Sequence, residues 1–292
     1  MNILVCSKIS IPAKDRTLPA WEYLRARGHT VVVEHPSSER VTERPDAIIS
    51  MGVTIMEETF EALERFPGVP LYCYMWDCYE WVWTNPRPGE YDYKRYGELL
   101  KLAREVWVPS QCTGRRTTQW WGLTNWSVVL SACPWWDHPN VRDDGYALCT
   151  LRHLPDPWDT VFEECCEEIG IPYKRTDHNL SYEDYQDTVA GCRFLVSHYY
   201  EASTGGLTLL EAYRLGKPVL ISDSIWHGGL DYFGNRAEYF RGGDRGNFKL
   251  LLDSMYRWPA PIPRDCKEYI ETNFSDRRMV DDMVRRLDAN AR

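Results

Sequence analysis

Short apolar runs alternate along the chain with segments whose apolar positions recur at the spacing of a helix. In the first part, the strand-like runs are 3–6, 31–33, 46–52, 69–76, 105–110 and 127–130. The segments with helical spacing between them are 21–27, 57–64, 93–104 and 113–121. Strands that alternate with helices predict a parallel, doubly wound sheet with helices on both faces.

The alternation stops at 132–140, where prolines and polar residues predominate, and we interpret this stretch as an interdomain crossover. It then restarts. The predicted strands are 146–150, 171–174, 194–196, 219–221 and 238–240, and helical segments include 158–169, 182–190, 247–256, 266–272 and 275–287. The pattern predicts an α/β protein with two Rossmann-like domains, at 1–137 and 138–274, and a helix at 275–292 that packs back on the first. Such domains are expected to place a ligand cleft between the carboxyl ends of their strands.

One segment of the second half carries the clearest chemical signal. Gly205 and Gly206 open a helix between two strand-like runs. Glycines let the backbone approach an anion, and the free N–H groups and dipole of a helix start favour phosphate there. Glu201 precedes this loop and Glu211 follows about one turn inside the helix. Carboxylates beside a phosphate cradle suit a ligand with hydroxyls next to its phosphates, such as a nucleotide sugar.

Composition narrows the class of protein. Of the 292 residues, 43% are hydrophobic and 26% are charged, which is typical of a soluble globular chain. The sequence has no apolar run long enough to span a membrane and no recognisable export signal at its start, so we expect a cytoplasmic protein whose scattered cysteines are reduced. The net charge of −9 argues against a protein whose surface is covered with positive charge that binds phosphates.

The glycine-containing segment resembles the nucleotide-sugar motif of glycosyltransferases with two Rossmann-like domains, the GT-B fold, and is most similar to the retaining family 4 group. The matching residues are Tyr200-Glu201, Gly206-Leu207, Leu210-Glu211-Ala212 and Gly216-Lys217-Pro218-Val219. Trp107-Val108-Pro109-Ser110, followed by a helix, also resembles a late strand of that family's first domain. The resemblance extends over the whole order of predicted elements.

Two departures from the family pattern affect the site. The family separates its two glutamates by seven residues, whereas nine residues separate Glu201 and Glu211. Either the loop carries an insertion or Ser203 takes the first acidic position. The family also has an arginine and a lysine after the first strand of the second domain. Here Arg152 fits, the lysine is missing, and His153 is the candidate substitute, although its charge depends on pH.

The resemblance implies a donor site in the second domain. Backbone N–H groups of the glycine loop would bind the diphosphate, Glu211 would hold the ribose hydroxyls, and Glu201 or Ser203 would contact the transferred sugar. Arg152 would neutralise charge on the leaving diphosphate. The implied donor-binding residues are Arg152, His153, Ser203, Thr204, Gly205, Gly206, Leu207, Thr208 and Glu211.

Asp77 is the catalytic candidate of the first domain, beside Glu201 and Arg152 in the second. It follows a strand, and its carboxylate could orient or deprotonate an acceptor hydroxyl. An aspartate at such a place is also common as a turn or helix cap. No Asp-x-Asp metal motif is present, and the chain lacks the Gly-x-Gly-x-x-Gly fingerprint of a nicotinamide dehydrogenase.

These observations, together with the resemblance, predict a glycosyltransferase that moves a sugar from a UDP- or GDP-sugar to an acceptor hydroxyl, without a metal or prosthetic group. The resemblance implies that the anomeric configuration is retained. A sugar-nucleotide epimerase, a phosphorylase, or a binding protein without turnover remain alternatives. The acceptor is left open between a glycan, a small metabolite and a modified DNA base, the last mildly disfavoured by the net acidity.

Overall fold

The chain forms two compact units. A computed structural model describes residues 1–8, 19–75, 92–133, 136–150, 157–176, 180–200, 206–258 and 264–290. The first unit comprises Met1–Ala132 together with Phe274–Arg292, and the second comprises Cys133–Asn273. Each unit contains one parallel sheet, as the alternation of strands and helices predicts. The cleft expected between the two halves stays a prediction.

The first unit is built on a sheet whose six described strands run in the order β2-β1-β3-β4-β5-β6. Their bounds are β1 Asn2–Cys6, β2 Thr30–Glu34, β3 Ala47–Met51, β4 Leu71–Tyr74, β5 Glu105–Val108 and β6 Trp126–Val128. The helices between them are α1 Pro19–Ala26, α2 Met56–Arg65, α3 Tyr93–Leu102 and α4 Gln111–Trp121. All the strand pairs are parallel, with Ile3 opposite Val31 on one side and Ala47 on the other.

Side chains of β1 alternate between two apolar clusters. Leu4 and Cys6 belong to one cluster, whereas Ile3 and Val5 belong to the other. Successive side chains of a strand point to opposite faces, so both faces of this sheet are covered. That burial explains why the strands read as nearly continuous apolar runs instead of alternating with polar residues.

The second unit has a sheet in the order β11-β10-β9-β7-β8 in its described part, again with parallel pairs only. The strands are β7 Ala147–Cys149, β8 Tyr173–Arg175, β9 Phe194–Val196, β10 Val219–Ser222 and β11 Glu238–Phe240. The helices are α5 Val161–Ile169, α6 Tyr182–Gly191, α7 Leu207–Arg214, α8 Gly229–Phe233, α9 Arg245–Arg257 and α10 Cys266–Asn273. The starts of α6 and α7 follow the carboxyl ends of β8 and β9, so both helices begin at the same edge of the sheet.

One helix of the second unit differs from the sequence expectation. The sequence pattern predicts no helix between the strands at 219–221 and 238–240, but α8 begins there, with Gly228 as its N-cap and Gly229 as its first residue. Two glycines argue against a helix because they lower its propensity. Tyr232 and Phe233 are fully buried, and packing of these two rings outweighs the local preference.

The last helix, α11 at Asp276–Asn290, belongs to the first unit. Its buried residues Met279, Met283 and Leu287 lie in one apolar cluster with Trp21 and Leu24 of α1. These positions recur every three or four residues, so they form one face of the helix. The helix therefore covers part of the first sheet although the whole second unit precedes it in the chain.

Two further features concern the described residues alone. No helix among them is both long and apolar enough to cross a membrane. Nine cysteines are described, and all are buried and free of disulfides.

We predict that Met283→Ala destabilises the first unit. Met283 is fully buried, and truncating a buried methionine removes apolar contacts and leaves a cavity, which costs about 2–5 kcal/mol. Urea unfolding followed by tryptophan fluorescence measures the change. Arg277→Ala, at an exposed position of the same helix, should leave the unfolding midpoint nearly unchanged. Equal midpoints for the two variants would contradict the packing of α11 on this unit.

Candidate functional site

Four of the predicted site residues lie in the described part of the chain: Gly206, Leu207, Thr208 and Glu211. The remaining predicted residues lie outside the described residues: Asp77, Arg152, His153, Glu201, Ser203, Thr204 and Gly205. The choice between Glu201 and Ser203 therefore stays open. The geometry of the site is built from the four described residues and their neighbours in the second unit.

Gly206 is the N-cap of α7, on the carboxyl side of β9. Its φ of 75° and ψ of 109° lie where a side chain is strained, which explains the glycine. Space is not the constraint, because a Cβ there would come no closer than 3.6 Å to the Leu209 side chain. The cap has no side chain to accept hydrogen bonds from the first N–H groups of α7. A helix start with such N–H groups is suited to an anion.

Glu211 is buried on α7, with 7% of its surface exposed. Its Oε2 accepts a hydrogen bond from the hydroxyl of Tyr185 on α6. Burial raises the pKa of the Glu211 carboxyl, and the interactions with Tyr185 and with the Trp136 indole act in the opposite direction. Glu211 follows the first turn of its helix, and its burial sets it apart from the solvated acids that complement helix dipoles.

Tyr185 connects three parts of the second unit. Burial is the main cause that raises the pKa of its hydroxyl, followed by the Glu211 charge, whereas a hydrogen bond with the Thr208 side chain lowers it. The Trp136 ring meets the Tyr185 ring edge-on, with centroids 6.4 Å apart. Tyr185 therefore links α6, the first turn of α7 and the segment that enters the second unit.

Ser197 and His227 form a buried pair on the carboxyl sides of β9 and β10. His227 Nδ1 accepts from the Gly229 N–H at 3.0 Å, so its proton is on Nε2, which donates to Ser197 Oγ at 2.9 Å. Burial lowers the pKa of His227 to about 3. The imidazole is therefore neutral, and it holds the glycine-containing turn before α8 against β9.

His198, the next residue, joins β7 to the segment that precedes α5. Its Nε2 donates to the Trp158 carbonyl at 2.7 Å, and its Nδ1 lies 3.4 Å from Cys149 Sγ, from which it accepts. Burial lowers the pKa of His198 to about 4. The ring is a neutral structural group. It fixes Trp158, whose ring contacts Tyr199 and Tyr200 at the end of β9.

Lys217 of the Gly-Lys-Pro motif has a structural role. Its side chain is buried, and Nζ donates to the Cys192 carbonyl at 2.7 Å and to the Arg142 carbonyl. Burial lowers the pKa of this ammonium group. Two carbonyl partners at the amino side of β9 keep Lys217 away from the carboxyl edge, where α7 begins.

Arg214 anchors the other end of α7. Its guanidinium, 5% exposed, donates to the Trp136 carbonyl at 2.7 Å and pairs with Glu271 of α10 at 2.6 Å. A second pair reaches Asp137 at 3.1 Å. These bonds hold the backbone of Trp136, whose indole approaches Glu211. Arg214, at the end of α7, therefore helps to hold Trp136 near the Glu211 carboxylate.

Among the residues that the structure describes, no group of three or more His, Cys, Asp or Glu side chains is arranged to hold a metal ion. The donor atoms gathered near Gly206 and Glu211 are backbone N–H groups, hydroxyls and one carboxylate. Such a set fits a ligand with phosphates and hydroxyls.

Sequence reasoning did not identify Tyr185 or Tyr182 as neighbours of Glu211. Tyr185 precedes Glu211 by 26 positions, and no local motif joins the two residues. A signal was nevertheless present, because tyrosines three residues apart lie on one face of a helix. His227, which no sequence motif singles out, is a buried packing residue.

We predict that Glu211→Gln changes how stability depends on pH. A carboxyl whose pKa is raised by folding stabilises the fold below its ordinary pKa, and this contribution is lost as the pH rises through the raised value. Glutamine carries no charge at any pH. Relative to wild type, the variant should therefore gain free energy of unfolding in urea titrations as the pH rises from the ordinary carboxyl pKa of 4.5 through the raised pKa.

Glu98→Gln is the matched control, because Glu98 is exposed in the middle of α3. Its difference from wild type should be constant across the same pH range. A constant difference for Glu211→Gln as well would contradict the burial of the Glu211 carboxylate.

Comparisons with known proteins concern the whole chain. No protein-family model matches the sequence, and no curated protein matches it either. Solved structures do match. Sucrose-phosphate synthase from Thermosynechococcus elongatus has a TM-score of 0.66 at 12% identity, with 99% of this chain and 99% of that chain covered.

Two other solved structures extend the comparison. HepE from Anabaena, in complex with UDP and glucose, has a TM-score of 0.66 at 12% identity, covering 99% of this chain and 100% of that chain. A glycosyltransferase from Rickettsia africae has a TM-score of 0.56 at 13% identity and covers 97% of each chain. The chain therefore shares the fold of these glycosyltransferase structures, as its resemblance to the GT-B group predicted.

Proposed function

We propose that the protein is a glycosyltransferase that uses a nucleoside diphosphate sugar as donor. The observation that carries the proposal is the buried Glu211 carboxylate close behind a helix start capped by Gly206. The N–H groups of that start would bind the diphosphate, and Glu211 would accept hydrogen bonds from the ribose hydroxyls. HepE, one of the proteins with the same fold, has been solved in complex with UDP-glucose, which supports a donor of this class.

The carboxylate is prepared for this role by its neighbours. Tyr185 donates to Oε2 of Glu211, which fixes the orientation of the group. Hydrogen bonds to a charged group are stronger than those between neutral groups, and a fixed acceptor loses little entropy when the ligand binds. Ribose hydroxyls could then donate to the remaining oxygen sites of the carboxylate.

In the proposed reaction, the bond between the anomeric carbon and the diphosphate breaks, and an acceptor hydroxyl forms the new bond. Negative charge that develops on the leaving diphosphate would be stabilised by the start of α7 and by Arg152. Both groups act without a metal ion. Retention of the anomeric configuration, with Glu201 or Ser203 at the transferred sugar, is part of the proposal through the resemblance to family 4 enzymes.

Acceptor binding is assigned to the first unit. Asp77 is the proposed group that orients or deprotonates the acceptor hydroxyl. The proposal leaves the acceptor open between a glycan and a small metabolite. A location in the cytoplasm is part of the same proposal.

We predict that Glu211→Ala weakens nucleotide binding by about 10- to 150-fold. Loss of hydrogen bonds to a charged acceptor typically costs 1.5–3 kcal/mol, which corresponds to this range. Isothermal titration with UDP and with GDP measures the effect. Glu211→Gln, which keeps the shape of the side chain, should weaken binding less.

Glu268→Ala is the control, because Glu268 is an exposed acid of the same unit on α10. Its affinity for both nucleotides should equal that of wild type. The donor-site assignment fails if wild type binds UDP or GDP and Glu211→Ala binds it equally well. Thermal melts of each variant without ligand show whether the fold is kept.

Turnover separates a transferase from the alternatives. We predict that UDP or GDP is released from a nucleotide sugar in proportion to a glycosylated product when a mixed acceptor pool is added. Mass spectrometry identifies the product, and anomeric proton couplings in NMR give its configuration. Chelation with EDTA should leave the rate unchanged. Epimerised donor without release of nucleotide, or binding without any product, would overturn the assignment to glycosyl transfer.

A further inference from the structure

Tyr182 lies at the start of α6 with an unusually exposed ring. The residue is 60% exposed, whereas Tyr185, one turn further, is partly buried. The two rings are stacked, with centroids 6.3 Å apart and an angle of 18° between their planes. The Tyr182 ring therefore packs beside the Tyr185 ring, while much of the Tyr182 residue stays exposed.

The ring is held in place from behind. The Tyr182 hydroxyl interacts with the side chain of Gln186 one turn further along α6. Tyr185 is in turn fixed by its hydrogen bond to Glu211 and by the edge of the Trp136 ring. An aromatic face that is already oriented offers a stacking partner at a small entropic cost.

Tyr182 is also an electrostatic neighbour of Glu211. The Glu211 charge is the second cause, after burial, that raises the pKa of Tyr182. In a nucleoside, the base is attached to the ribose carbon beside the one that bears the 2′-hydroxyl. A ribose held by Glu211 therefore carries its base within a short distance of the carboxylate. Tyr182, at the edge of the sheet where α6 and α7 both begin, is an exposed aromatic residue in that neighbourhood.

We propose that the exposed ring of Tyr182, packed against Tyr185, is the stacking platform for the base of the nucleoside diphosphate donor. The inference rests on the proposed function, because it requires a nucleotide whose ribose is held by Glu211. It adds the contact that distinguishes a complete nucleotide from its ribose and phosphate parts. Stacking tolerates different bases, so the platform supplies affinity. Hydrogen bonds from other groups to the edge of the base would be needed to distinguish one base from another.

Titrations with three ligands test the platform: UDP, GDP, and ribose 5-diphosphate, which keeps the sugar and both phosphates but lacks the base. Base–aromatic stacking contributes about 1–3 kcal/mol. Tyr182→Ala should therefore lower the affinity for UDP or GDP, whichever wild type binds more tightly, by about 5- to 150-fold. Tyr182→Phe keeps the ring and should bind within about twofold of wild type. Binding of ribose 5-diphosphate should be the same for all three proteins.

Tyr23→Ala is the control, because Tyr23 is an exposed tyrosine of α1 in the first unit. It should bind every ligand as wild type does. Thermal melts should show a folded Tyr182→Ala protein, since an exposed ring contributes little to the core.

The outcomes separate the two proposals. If Tyr182→Ala binds UDP and GDP as wild type does while Glu211→Ala loses affinity, the platform is wrong and the donor site stands. Equal losses for the base-less ligand and the nucleotide would show that Tyr182 acts by positioning Glu211, which also overturns the platform. If wild type binds neither nucleotide, the proposed function and the platform both fail.

Discussion

The arrangement of α6 and α7 in the second unit depends on the contacts of one buried carboxylate, that of Glu211. Glu211 is 7% exposed, and a buried charge needs hydrogen-bond donors. Tyr185 supplies one from α6, and the Trp136 indole approaches from the segment that enters the unit. These contacts fix how α6 and α7 meet, and hence where their first turns lie at the carboxyl edge of the sheet. Tyr182, at the start of α6, stays exposed in this arrangement.

Other buried polar groups of this unit support that edge without taking part in chemistry. Lys217 binds carbonyls at the opposite side of the sheet, and Arg214 holds the backbone of Trp136. His198 and His227 are neutral because burial lowers their pKa values, and each joins a strand end to a neighbouring segment. The candidate chemistry is thus concentrated in one carboxylate, one aromatic pair and one helix start, each held by a different set of bonds.

The alternation of apolar runs with helical spacing was enough to predict both parallel sheets, because strands covered on both faces leave a strong local signal. The helix start at Gly206 was predictable for a similar reason, since only glycine adopts its φ of 75° without strain. Helix α8 was missed because the burial of Tyr232 and Phe233 is a tertiary effect. The partnership of Tyr185 with Glu211 was missed because it joins residues 26 positions apart.

The central claim is that a nucleoside diphosphate binds where α6 and α7 begin. Hydrogen exchange measured by mass spectrometry, with and without saturating UDP or GDP, tests it most directly on the wild-type protein. Bound nucleotide should slow exchange in peptides that cover 182–191 and 206–214, and should leave peptides from α9 and α11 unchanged. Bound nucleotide that protects only peptides elsewhere in the chain would contradict it.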